Sequence, residues 1–90
     1  MEIVTAGFIE FSVLKLRAHV YAQQLKRQLK DPRTDPDIIE DDIKWKVAVN
    51  DAKYDLSYDQ CTELLELLSK ESGLDAIKAD RMRRLERKVG

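Results

Sequence analysis

The residues best suited to chemistry in this chain are few and scattered. His19 is the sole histidine and Cys61 the sole cysteine. A histidine-rich metal site is therefore excluded by count unless several copies of the chain pool theirs, and no pattern of nucleophile and acid surrounds His19. A partly buried or surface histidine is the simpler reading. Cys61 can form neither an internal disulfide nor a multi-cysteine zinc site. At the head of "CTELLELL" it would have a lowered thiol pKa if it were exposed near a helix N-terminus, but a small core residue accounts for it more simply.

Two charged clusters offer binding rather than catalysis. Asp35, Asp37, Glu40, Asp41 and Asp42 supply the clustered carboxylates that a hard cation wants, yet they match no loop turned by a glycine. They are better read as helix-start charges. A third reading joins Asp37, Glu40, Asp41 and Asp42 to Trp45 as a patch that meets a basic surface on another protein. Near the other end, "KADRMRRLERK" carries Arg81, Arg83, Arg84, Arg87 and Lys88 as possible phosphate contacts. Asp80 and Glu86 interrupt that run, and no aromatic residue lies within it. Trp45, Tyr21, Tyr54 and Tyr58 could stack on a base or anchor an interface. No glycine-rich phosphate loop occurs, and nothing implies a cofactor or a metal.

The elements that must position these groups follow from periodicity. From Phe8 to Leu29, the set Phe11, Leu14, Ala18, Tyr21, Leu25 and Leu29 falls at steps of three and four, one stripe of a helix. Ile9, Val13, Leu16 and Val20 add a strip beside it, so the first half of this helix is apolar on several sides and needs more than one neighbour. "KDPRTDPD" then stops the helix, and Asp35 followed by Pro36 and further acids is a strong start signal for the next.

The segment "IKWKVAVNDAKYDL" reads two ways. As a β-hairpin, Ile43, Trp45, Val47 and Val49 share a face with Tyr54 and Leu56, with the turn at Asn50-Asp51. As a helix, Ile38, Trp45, Val49, Ala52 and Leu56 form one stripe, and Ile39, Ile43, Val47 and Tyr54 form another on roughly the opposite side. Helix is favoured, because the Asp35-Pro36 signal would otherwise launch only about two turns and the supposed hairpin turn lacks glycine. Beyond it, Ser57 and Gln60 fit a capping box ahead of Cys61, Leu64, Leu65, Leu67 and Leu68, and Gly73 fits a C-terminal cap. A weaker seam of Leu74, Ile77, Met82, Leu85 and Val89 follows.

The expected architecture is a single all-α domain over residues 1–90: a long helical hairpin bent at "DPRTDP" and two shorter helices, assembling as a homo-oligomer. An α+β fold with a hairpin at 43–56 is the alternative. A charged fraction of 37% and a formal net charge of −1 give the whole molecule no strong pull on nucleic acid or anionic membrane. The lone cysteine suggests a reducing compartment, and the N-terminal stretch, broken by Glu10, Lys15 and Arg17, reads as neither a secretory signal nor a membrane span. The expected function is therefore that of a cytoplasmic, non-enzymatic accessory protein, regulatory or inhibitory, that occupies a surface of a partner protein. The alternative is a phosphate-bearing ligand: nucleic acid on the last helix, or a nucleotide between protomers.

Overall fold

A computed structural model describes residues 10–89, with side chains through Arg87. Phe8 and Ile9 of the expected first helix, and the side chains of Lys88 and Val89, lie outside the described residues. Four helices and no strand are found among those described: α1 (Phe11–Leu29), α2 (Pro36–Tyr54), α3 (Tyr58–Ser72) and α4 (Leu74–Val89). The all-α expectation holds, and residues 43–54 continue the helix that starts at Pro36.

The boundaries are set by side-chain chemistry. Asp35 accepts a hydrogen bond from the Asp37 amide at 2.9 Å, and Pro36 occupies the first helical position, where its missing N–H costs nothing. Between α1 and α2, the Thr34 hydroxyl donates to the Gln28 carbonyl at 2.7 Å, while Asp31 accepts from the Arg33 amide and guanidinium. α2 ends at Asp55, which adopts a left-handed conformation (φ 53°) that Asp tolerates better than most side chains. At the start of α3 the capping box is complete: the Ser57 hydroxyl accepts from the Gln60 amide at 3.1 Å, and the Gln60 side chain accepts from the Ser57 amide at 2.9 Å. Replacing Ser57 by Ala is expected to lower unfolding stability by about 1 kcal/mol, measured by urea titration. Gly73, at φ 88°, is the left-handed cap on which the chain turns directly from α3 into α4.

The core is made by α3 packing between its neighbours. Leu64 and Leu68 of α3 meet Leu14, Ala18, Ala22 and Leu25 of α1, Ile39, Ile43 and Val47 of α2, and Leu74 of α4. α1 packs most extensively on α3 and only lightly on α2. The two arms joined by "DPRTDP" thus splay apart over α3 rather than zip along each other. An ion pair, Lys15 with Glu63 at 3.1 Å, and a contact between the His19 imidazole and the Glu71 carboxylate fasten α1 to α3. Two ion pairs fasten α4 to α2, Arg81 with Asp37 at 3.0 Å and Lys78 with Glu40.

The result is long and thin, 63 × 24 × 17 Å. Its radius of gyration is 15.8 Å, against about 12 Å for a compact chain of this length. A shape so thin cannot bury both sides of a two-sided helix. Leu16, Val20, Ile38, Trp45, Val49, Met82 and Leu85 all remain exposed as a consequence. No helix of the described residues is long and apolar enough to cross a membrane.

Candidate functional site

α2 resolves its two stripes in opposite ways. Ile39, Ile43 and Val47 turn inward and are at most 9% exposed. The other stripe faces out: Trp45 is 72% exposed, Ile38 59% and Val49 40%, with Ala48 and Ala52 exposed between them. At about 100° per residue, Ile38, Trp45, Val49 and Ala52 fall within about 60° of one another, so they form one continuous apolar face.

The acidic residues beside Trp45 divide into two pairs. Asp37 and Glu40 point to α4 and hold Arg81 and Lys78. A hydrogen bond from Lys78, aided by the charges of Lys78 and Lys44, holds the Glu40 carboxyl below its ordinary value against burial and the nearby Asp37. Because the folded state lowers this pKa, the contact stabilises the protein above the unfolded-state value and is lost as pH falls through the folded one. Asp41 and Asp42 are exposed on α2. Of the acidic patch, it is therefore these two that flank Trp45 on its open side.

The basic run on α4 does not converge. Arg81 is engaged by Asp37, and Arg83 and Arg84 reach Asp80 at 3.8 and 2.6 Å. Arg83 projects about 200° around the helix from Arg81, and Arg87 is exposed further along. Every described side chain from Met82 to Arg87 is exposed, so this end of α4 stands clear of the body.

His19 and Cys61 do not meet. His19 faces Glu71, ten residues along α3 from Cys61 and so about 15 Å away along the axis. The Cys61 thiol is half-buried against the core, and its pKa is raised, first by burial and then by the charge and hydrogen bonding of Asp51. The lowered value that exposure near a helix N-terminus would bring is not found. Alkylation of Cys61 by iodoacetamide at pH 8 is expected to be slower than that of a free cysteine peptide, and Asp51→Asn should speed it. No group of three or more His, Cys, Asp or Glu among the described residues could hold a metal ion.

A feature that one-helix periodicity could not reveal lies where α1 and α2 splay. The gap between them is a groove of about 400 Å³, floored by Ala18, Val47, Leu64 and Leu68. Its banks carry Arg17 and Tyr21 from α1, and Lys46, Lys53 and Tyr54 from α2. The Lys46 ammonium lies 4.7 Å from the centre of the Tyr21 ring, and the Lys53 ammonium 5.4 Å from that of Tyr54. No acidic residue lines it among the described residues. Val20 and Val49 form the lips, so the groove opens onto the same side as the apolar faces of both helices.

No protein-family model, curated protein or solved structure matches this chain.

Proposed function

We propose that this chain is a non-enzymatic accessory protein that acts by protein–protein contact through the outward face of α2, first with a second copy of itself. The observation that carries this reading is Trp45, 72% exposed on a stripe with Ile38 and Val49 while the opposite stripe of the same helix fills the core. A Trp costs little conformational entropy to immobilise and brings a large apolar area, which is why it recurs as an interface anchor. Scattered exposed apolar side chains need no explanation, but a continuous helical stripe of them does.

A second copy is the occupant favoured by charge. On the open side of α2 the first half carries Asp41 and Asp42, Asp37 and Glu40 being held by α4, and in the second half Lys46 and Lys53 outnumber Asp51. Two such helices laid antiparallel about a two-fold axis set the acidic half of each against the basic half of the other, with Trp45 beside Val49 of its mate. A partner protein that takes this face would compete with the pairing, which gives a small accessory protein a means of being held and released.

The test is solution mass by light scattering on a sizing column, with Trp45 fluorescence followed over the same concentration range. Twice the chain mass, with emission shifting to the blue as protein concentration rises, is expected. A monomer at every concentration, with emission typical of water-exposed Trp, would overturn self-association.

A further inference from the structure

The groove between α1 and α2 differs from the α2 face in chemistry. It is concave, its floor is apolar, and three cations stand on its banks with no carboxylate lining it among the described residues. We infer that this groove binds a small amphipathic anion, a carboxylate, sulfonate or phosphate monoester carried on an apolar body.

The groove is polar at one end in particular. Arg17, Lys53 and the Tyr54 hydroxyl gather where α1 begins and α2 ends. Burial pushes the Tyr54 phenol up, but the combined influence of Lys53 and Arg17 outweighs it and leaves the pKa lowered, as expected where two cations converge on one oxygen. Towards the other end, Asp42 is near enough to Tyr21 to add to the effect of burial in raising that phenol's pKa. A negative head group is therefore placed at Arg17, Lys53 and Tyr54, away from Asp42. The apolar body then runs past Lys46 over Val47, Leu64 and Leu68. A volume of about 400 Å³ lies within the usual range for small-molecule sites. Arg17 of α1 and Lys53 of α2 both line this end, and like charges brought to one site repel, so an anion between them relieves that repulsion.

The experiment is calorimetric titration of the full chain with decanoate, alongside inorganic phosphate and decyltrimethylammonium. Decanoate is expected to bind once per chain, with a dissociation constant on the order of 0.1–1 mM for so few heavy atoms. Phosphate, which lacks the apolar body, and decyltrimethylammonium, which reverses the charge, should bind at least about tenfold more weakly. The triple variant Arg17→Gln, Lys46→Gln, Lys53→Gln should lose roughly 30-fold in decanoate affinity while keeping the circular dichroism spectrum of the folded chain. Arg27→Gln, an exposed cation of α1 outside the groove, should leave decanoate binding unchanged, which separates this site from general surface charge. Binding that survives the triple variant, that is matched by the cationic or headgroup-only probe, or that falls equally with Arg27→Gln would each overturn the assignment. So would the absence of decanoate binding up to several times the expected constant.

Discussion

Ile43→Asp will abolish the cooperative unfolding transition, whereas Trp45→Asp, two residues away on the same helix, will leave the fold in place. Ile43 is 1% exposed among Leu25, Leu64 and Leu68. A carboxylate there has neither water nor a partner cation, and the penalty of several kcal/mol rivals the whole stability of a domain this size, about 5–13 kcal/mol. Trp45 has most of its surface in water already, so the cost to the isolated fold should stay within about 0.5 kcal/mol. Ile43→Ala supplies the graded version, with a loss of about 2–5 kcal/mol. Thermal and urea unfolding followed by circular dichroism decide the matter. If Trp45→Asp unfolds the chain at low concentration and Ile43→Asp does not, α2 is rotated by half a turn and the assigned core is wrong. A midpoint for Trp45→Asp that falls only at high protein concentration reports lost assembly instead, because self-association stabilises the folded chain by mass action.

This contrast also marks where sequence reading stops. The two stripes of α2, its start, and both ends of α3 are legible, because caps and periodicity are local: Asp35 with Pro36, Ser57 with Gln60, and Gly73 each act within one turn. The start of α1 is not, since the apolar stripe runs back to Phe8 while Glu10 is extended and the helix begins at Phe11, and the α2 stripe likewise overruns to Leu56 past the end at Tyr54. Which stripe of α2 is buried is not legible, since Trp45 and Ile43 each sit in an apolar stripe of similar length and only the placement of α3 decides between them. The same holds for the acidic patch. Along the sequence Asp37 and Glu40 group with Asp41 and Asp42 as a partner surface, but α4 folds back to take the first two into ion pairs. The groove cations were missed for a related reason. Arg17 lies on one helix and Lys46 and Lys53 on another, and nothing within either segment signals that the helices splay. A second apolar strip on α1, visible as Val13, Leu16 and Val20, was the nearest hint of an open flank.

Trp45→Ala should raise the dissociation constant of the assembled form by roughly a thousandfold, and the pairing it disrupts should be antiparallel. Truncating one interface Trp commonly costs about 2 kcal/mol or more, and a two-fold contact makes the loss twice, so about 4 kcal/mol is expected. Light scattering of wild type and variant over a thousandfold dilution measures it. Orientation is fixed by where the axis falls. With acidic and basic halves of α2 opposed, the two-fold passes near Val47 and Ala48, so the two copies of residue 48 lie side by side. The two copies of residue 38 are then roughly 28 Å apart along the helices, at 1.5 Å per residue. In a background in which Cys61 is Ser, Ala48→Cys is therefore expected to form an intermolecular disulfide under mild oxidation, and Ile38→Cys is not. A parallel pair would bring each position beside its own copy and cross-link both. That outcome would keep the α2 interface but refute the charge argument, since acid would then face acid along its first half. Failure of both variants, together with a monomeric mass, would remove α2 as a self-contact and leave its Trp45 face to a partner of different sequence.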